Sequence, residues 1–326
     1  MPGQADSQRL AIARPSKRTI YAALFGNLLI AVTKFIAASF TGSSAMLSEG
    51  VHSLVDTSNE VLLLYGLNRA AKPPDANHPL GHGRELYFWS FIVALLVFSL
   101  GAGVSFYEGV AHVLAPVPME SIGVNYIVLA LSALFEGYSW RVALKHFRSS
   151  KGKNGYLDAI RESKDPVTFT VLLEDSAALT GIAIAAVGIA SAQYFGVPEL
   201  DGVGSLCIGL LLAVTAIFLA RESKGLLIGE RAAPAIEASI LEMAQTDPAI
   251  QRANGVMTVH LAPDQVVAAL SAEFRDNAKA DDIEACVERL ERRLAAERQE
   301  VTVLFVKPQT ASQWRDHEAI IPTEQE

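Results

Sequence analysis

The sequence predicts a polytopic α-helical membrane protein with six transmembrane helices and a small cytoplasmic α+β domain at its C-terminus. Apolar residues make up 51% of the 326 residues, and nearly all the long apolar runs lie before about residue 228. Residues 1–227 hold 17 acidic and 17 basic side chains, whereas residues 228–326 hold 18 acidic against 10 basic. The net charge of -8 therefore lies in a tail whose composition is that of an ordinary soluble domain.

Six segments are long enough to cross a hydrocarbon layer of about 30 Å, which needs roughly 20 helical residues. They lie near 19–40, 44–67, 86–108, 124–146, 166–190 and 203–222. Asp165 and Pro166 suit the start of the fifth segment, as its N-cap and first helical residue. The polar N-terminus lacks the short apolar core of a cleaved signal peptide, so we expect the first segment to remain as a span.

Lysine and arginine are unevenly distributed over the loops. The loops around 41–43, 109–123 and 191–202 contain neither residue, whereas the N-terminus and the alternate loops contain many. Short cytoplasmic loops are enriched in these two residues. We therefore predict a multi-pass protein of the cell inner membrane with both termini in the cytoplasm.

The C-terminal region alternates between helical and strand patterns. Its predicted segments are helix 234–246, strands 255–261 and 266–274, helix 280–297 and strand 300–307. The strands are rich in Val, and the second helix has an apolar stripe at helical spacing, formed by Ile283, Val287, Leu290 and Leu294. This order predicts a ferredoxin-like αββαβ sandwich. We predict four divisions of the chain: a cytoplasmic N-terminal segment (1–18), a six-helix membrane domain (19–227), the α+β domain (228–308) and a loose C-terminal tail (309–326).

The second predicted span contains Glu49, His52, Asp56 and Glu60, each three or four residues after the last. A charged group at the bilayer centre costs about 2.5–3.5 kcal/mol on insertion scales, so each needs a physical reason. His52 and Asp56 are one turn apart, and together they offer half of a tetrahedral zinc-type shell. The alternative is a buried polar pair that only joins helices. Glu49 and Glu60 lie nearer the span ends, where capping or snorkelling explains them.

The fifth predicted span contains two adjacent carboxylates, Glu174 and Asp175, which packing alone does not explain. Neighbouring helical residues point about 100° apart, so we expect only one of the two to face His52 and Asp56. A proton relay is the alternative role for such a pair.

The first span contains Asn27 and Lys34, which share a helix face because they are seven residues apart. Asn27 is either a neutral metal ligand or a donor in a hydrogen bond between helices. We expect Lys34 to balance a buried carboxylate.

The loop after the second span holds Asp75, His78 and His82, a compact cluster with a spacing that suits a metal ion. Exposed histidines without a metal are the alternative. The remaining histidines look isolated, and we assign them no role: His112, His146, His260 and His317.

Several function classes are disfavoured by what the sequence lacks. The acidic tail leaves no basic surface for nucleic acid. The absence of a GxxxxGK[ST] phosphate loop disfavours ATP as the energy source, and the absence of an HExxH motif disfavours an intramembrane zinc protease. We expect a protein that is not an enzyme. The two cysteines, Cys207 and Cys286, indicate neither a disulfide framework nor a thiolate metal site.

Together these motifs resemble the cation diffusion facilitator family. The resemblance covers residues from about 17 to 308, and its most specific stretch is GSSAMLSEGVHSLVD at 42–56. The loop NHPLGHG at 77–83 adds to it, and the run LEDSAALTG at 173–181 resembles the branch that contains the animal mitochondrial zinc transporter.

The resemblance implies a homodimeric secondary transporter in the lipid bilayer that exports zinc or a similar divalent metal ion, usually against protons. It implies no cofactor beyond the transported ion. The residues that it assigns to a transport site and a loop site are His52, Asp56, Asp175, Asp75, His78 and His82.

Two features depart from the family pattern. The positions one turn from Asp175 are apolar, Val171 and Leu179, so Glu174, Asn27 or a water is expected to complete the shell. The tail strands contain no histidine cluster, so we expect a tail dimer without a bridging metal. A manganese or iron exporter and a metal-responsive membrane regulator without net transport remain alternatives. A passive channel is disfavoured, because the sequence contains no repeated pore loop.

Overall fold

The computed structural model describes residues 17–118, 121–150, 155–156, 159–160 and 163–318. The chain forms two compact units. The first unit contains residues 1–66, 89–153 and 167–221. The second unit contains residues 67–88, 154–166 and 222–326. The predicted segment 1–18 lies almost wholly outside the described residues.

Within the described residues, six long helices agree in position with the six predicted segments. Their bounds are α1 Lys17–Thr41, α2 Ser44–Ala70, α3 Glu85–Leu114, α4 Ile122–Ser150, α5 Pro166–Phe195 and α6 Glu199–Ile228. Helix α3 includes a π-helical segment at Val97–Ala102. Because α2, α3, α5 and α6 contribute residues to both units, the units do not coincide with the predicted boundary at 227/228. That boundary stays a prediction.

Among the described helices, α1, α3, α4, α5 and α6 are long and apolar enough to cross a membrane. Five such helices make this a multi-pass α-helical membrane protein. Helix α2 does not meet the same criterion, because it contains Glu49, Asp56 and Glu60 within its central turns. The prediction of a sixth span at α2 therefore stays a prediction.

Buried polar contacts and small residues hold helices of the first unit together. Asp201 in the first turn of α6 caps the start of α2, because its carboxylate accepts hydrogen bonds from the Ser43 hydroxyl at 2.8 Å and the Ser44 N–H at 2.6 Å. Helices α5 and α6 approach closely where two glycines meet. A Cβ atom on Gly188 would lie 3.3 Å from the Cα atom of Gly204, and such small contacts bring membrane helices together.

The second unit contains a three-stranded sheet. Its elements are α7 Pro234–Gln245, β1 Ile250–Ala262, β2 Gln265–Phe274, α8 Ala280–Glu297, β3 Val301–Pro308 and α9 Ala311–Glu318. Strand β1 pairs antiparallel with β2, and β2 pairs parallel with β3. Alternate residues of β2, from Val266 to Ala272, are buried with Ile240 of α7 and Leu290 of α8. The predicted αββαβ fold is confirmed.

The prediction of a loose tail after residue 308 is wrong for part of that segment. Residues Ala311–Glu318 form helix α9, and the Trp314 ring packs directly on Gly255 of β1. The Gln309 carbonyl accepts a hydrogen bond from the Asn254 side chain at 2.8 Å. The bare backbone at Gly255 leaves room for the indole, so the helix is held by a tertiary contact that its polar composition does not reveal. Residues 319–326 lie outside the described part of the chain.

We predict that Gly255→Val displaces α9. A Cβ atom at this position would overlap the Trp314 ring, and overpacking of this kind costs about 1–3 kcal/mol. In a fragment that begins at residue 228, Trp314 is the only tryptophan, so its emission reports on α9 directly. We expect a red-shifted emission and a lower urea midpoint. Gln251→Val, at an exposed position of the same strand, is the control, and an unchanged emission in Gly255→Val would contradict the contact.

Candidate functional site

The His52 imidazole lies within α2 of the first unit and is 1% exposed. Its Nδ1 atom lies 3.4 Å from Oδ1 of Asp56, one helical turn away. Three atoms here have no hydrogen-bond partner among the described residues: both ring nitrogens of His52 and Oδ1 of Asp56. Leaving a buried polar atom unpaired costs about 1–3 kcal/mol. These atoms are therefore suited to bind something other than the protein itself.

A small cavity of about 20 Å³ adjoins Asp56. This volume is enough for about one water molecule or one ion. Its walls come from α1, α2, α4 and α5, and the residues are Asn27, Ser53, Asp56, Glu60, Glu136, Val171, Glu174 and Asp175. Five carboxylates thus surround a space that holds about one small group.

Both Glu174 and Asp175 line this cavity, so the expectation that only one of them faces it is wrong. The Asn59 side chain of α2 donates a hydrogen bond to Oε1 of Glu174 at 2.7 Å, and the Ser139 hydroxyl of α4 donates one to Oδ2 of Asp175 at 2.8 Å. The two carboxylates flank the cavity because one is held by α2 and the other by α4. Among the described residues, no three of the ligand atoms of His52, Asp56 and these two carboxylates lie within 4.8 Å of one another.

Lys34 pairs with a buried carboxylate, as the sequence predicts. Its Nζ atom donates hydrogen bonds to Oε2 of Glu49 at 2.9 Å and to the Ser53 hydroxyl at 2.7 Å, and Lys34 and Glu49 are both fully buried. Glu49 therefore neither caps nor snorkels, and that prediction is wrong.

Glu60 also differs from its predicted role at a span end. The Asn27 side chain donates a hydrogen bond to Oε1 of Glu60 at 2.7 Å, and both residues line the cavity. Of the two roles considered for Asn27, the structure shows the hydrogen bond between helices.

Glu136 of α4 is the residue of this site that the sequence interpretation missed. It lines the cavity opposite Asp56 on another helix. A signal was available, because Glu136 is a carboxylate inside the predicted span 124–146, where each charged group needs an explanation. It is the only carboxylate in that span, however, and it lacks the helical-turn partner that marked His52 and Asp56.

The second unit brings the three predicted loop residues together. Oδ1 of Asp75 lies 3.1 Å from Nδ1 of His78, and Oδ2 lies 3.0 Å from Nε2 of His82. The ligand atoms of all three lie within 4.8 Å of one another. A hydrogen bond from the His78 backbone N–H, together with the His82 side chain, holds the pKa of Asp75 below its usual range. The cluster is therefore an ionised carboxylate between two imidazoles.

Two histidines that were predicted to be isolated have neighbours. Nε2 of His112 lies 3.9 Å from Oδ2 of the buried Asp201. Nδ1 of His260 lies 3.1 Å from the Ala262 carbonyl oxygen, to which it can donate, and burial lowers the pKa of His260. The side chain of His317 lies outside the described part of the structure.

Comparison with known proteins identifies the family of this chain. Residues 20–228 match the model of the cation efflux transmembrane domain. The chain is 36% identical over 246 residues to the mitochondrial proton-coupled zinc antiporter SLC30A9 of Mus musculus, across 75% of this chain and 43% of that protein. It is 35% identical over 216 residues to metal tolerance protein C4 of Arabidopsis thaliana, across 66% of this chain and 47% of that protein.

A more distant match is the magnetosome protein MamM of Paramagnetospirillum magneticum, 24% identical over 227 residues, across 69% of this chain and 67% of that protein. The matched region spans less than half the length of the mouse and plant relatives. The family match covers the whole of the helical region that contains the cavity. This chain therefore belongs to the cation efflux family, also called the cation diffusion facilitators, and it resembles the animal mitochondrial zinc transporter.

Proposed function

We propose that this protein is a secondary transporter that exports zinc, or a similar divalent metal ion, from the cytoplasm by proton-coupled alternating access. The observation that carries the proposal is the unpaired imidazole of His52 beside Asp56 at a carboxylate-lined cavity among apolar helices. The names of the mouse and plant relatives, a zinc antiporter and a metal tolerance protein, support the same function.

In this proposal His52, Asp56 and Asp175 bind the ion, and Glu174 completes the shell directly or through a water. Imidazole nitrogen and carboxylate oxygen are both zinc ligands. Each ligand must lose its proton before it binds a metal. Protons and metal therefore compete for the same atoms, which provides the exchange.

The membrane arrangement follows from the same proposal. Helix α2 forms the sixth span, both termini face the cytoplasm, and the protein resides in the cell inner membrane. Two copies form a homodimer, with tail contacts that need no bridging metal. The half-buried Ile283 and Val287 remain available for such contacts, because Leu290 and Leu294 are taken up in the core of the domain.

Two alternatives have some support. Carboxylate and imidazole ligands also suit manganese(II) and iron(II), so export of either ion is the first alternative. A membrane regulator would bind metal at Asp75, His78 and His82 without net transport. Proteoliposomes with a pH gradient separate these functions, because gradient-driven uptake indicates the exporter and binding without flux indicates the regulator.

We predict that His52→Ala, Asp56→Ala and Asp175→Ala each abolish zinc uptake driven by a pH gradient in proteoliposomes. Loss of even an outer-shell contact weakens metal sites about 10–100-fold, and these changes remove ligands themselves. Glu242→Ala, at an exposed carboxylate of α7, is the control and should transport at the wild-type rate. Near-normal uptake by two of the three variants would show that the site is assigned wrongly.

We predict that the loop cluster binds zinc and that its affinity falls on acidification from about pH 7.5 to about pH 5.5. The lowered pKa of Asp75 keeps its carboxylate ionised over this range, so protons compete with zinc for imidazole nitrogen and not for this carboxylate. Asp75→Asn should weaken binding at every pH, about 10-fold or more. Calorimetry in an Asp56→Asn background isolates the loop.

Asn77→Ala is the control for the loop experiment, because the contacts with Asp75 use only the backbone N–H of Asn77. A zinc affinity that does not change with pH, or an Asp75→Asn variant that binds as tightly as the parent, would contradict a metal site in this loop.

A further inference from the structure

One side of α4 is fixed against α5 by two hydrogen bonds. The Ser139 hydroxyl donates to Oδ2 of Asp175 at 2.8 Å, and Nε1 of Trp140 donates to the Ser176 hydroxyl oxygen at 3.0 Å. Glu136 lies one turn before these two donors, so it shares their helix face. The contact therefore holds Glu136 in the cavity wall beside Asp175.

Glu136 itself has no hydrogen bond or ion pair with any described residue. Its charge interacts with those of Asp56, Glu60 and Asp175, which line the same cavity. Lys34 is within electrostatic range of Glu136, but the Lys34 ammonium group is already engaged by Glu49 and Ser53. No described side chain therefore neutralises Glu136 directly.

The cavity has a second, independent sign of an occupant. His52 is 1% exposed, neither of its ring nitrogens has a hydrogen-bond partner among the described residues, and Nδ1 lies 3.4 Å from Oδ1 of Asp56, a residue of the cavity wall. The acidity of the cavity does not by itself explain why a buried imidazole beside it lacks a hydrogen-bond partner. A cation shared by Nδ1 of His52 and Oδ1 of Asp56 would satisfy both of these unpaired atoms.

Helix α5 has an apolar residue at a cavity position where a metal ligand would be expected. One turn before Asp175 it presents Val171, whose apolar side chain lines the cavity and cannot bind a cation. Glu136 lines the same small space from α4. An oxygen from α4 can thus take the place that α5 leaves without a ligand.

We propose that Glu136 binds the transported cation directly, so that the substrate site draws ligands from α2, α4 and α5. This inference rests on the proposed function. Glu136 adds an oxygen to a shell with a single imidazole, and oxygen-rich shells suit manganese(II), whereas nitrogen ligands favour zinc. Glu136 therefore sets how far the site accepts manganese as well as zinc.

The test measures zinc and manganese binding by calorimetry on the full chain in detergent. The variants His78→Ala and His82→Ala remove the loop cluster from the background. In that background Glu136→Gln should weaken zinc binding about 10-fold or more. Glu108→Gln is the matched control, because this carboxylate of α3 does not line the cavity, and it should bind as the parent does.

A change of metal preference separates a ligand from a merely structural residue. Glu136→His should raise the ratio of zinc to manganese affinity, because it replaces an oxygen ligand with a nitrogen ligand. An unchanged ratio in a variant that elutes and melts as the parent does would overturn the inference. This second variant decides the matter even if Glu136→Gln does not fold.

Failure of this inference is distinguishable from failure of the proposed function. If Asp56→Asn abolishes zinc binding while Glu136→Gln has no effect, Glu136 is not a ligand but the proposed site stands. If neither substitution changes binding, the cavity is not the substrate site, and both proposals fail.

Discussion

The high cost of a charged group among apolar helices governs the membrane unit. Each carboxylate there costs about 2.5–3.5 kcal/mol near a bilayer centre unless a partner compensates it. Four carboxylates of α2 and α5 receive hydrogen bonds from other residues, in the pairs Lys34–Glu49, Asn27–Glu60, Asn59–Glu174 and Ser139–Asp175. Removing one partner of a buried ion pair such as Lys34–Glu49 costs about 3–5 kcal/mol. These pairs therefore fix α1, α4 and α5 around α2, and they determine which groups stay unpaired.

The groups left without compensation are the ones that suit a substrate. Asp56 and Glu136 line one cavity of about 20 Å³ from two helices, and among the described residues neither ring nitrogen of His52, one turn from Asp56, has a hydrogen-bond partner. A resident partner at this point would compete with the ion and slow its release. The hydrogen-bonded carboxylates of this unit therefore hold the helices together. The groups without such partners are left as ligands for a divalent cation.

The sequence predicted those features of the structure that depend on residues close to one another in the chain. The long helices follow from length and apolar composition, and the αββαβ domain follows from changes of periodicity. The loop cluster of Asp75, His78 and His82 follows from short spacing within one turn-rich segment. Contacts between distant segments were not predictable in this way. Glu136 joins the cavity only because Ser139 and Trp140 fix α4 against α5. Likewise, α9 is held by the fit of Trp314 on Gly255, which neither segment reveals alone.

The most direct test of the central claim is the zinc K-edge X-ray absorption spectrum of the full chain, loaded with one zinc per chain after His78→Ala and His82→Ala. We expect zinc–ligand distances of about 2.0 Å to one imidazole nitrogen and several carboxylate oxygens. The imidazole signal should disappear in His52→Ala. A shell with several imidazoles, a sulfur ligand at about 2.3 Å, or an imidazole signal that survives His52→Ala would contradict it.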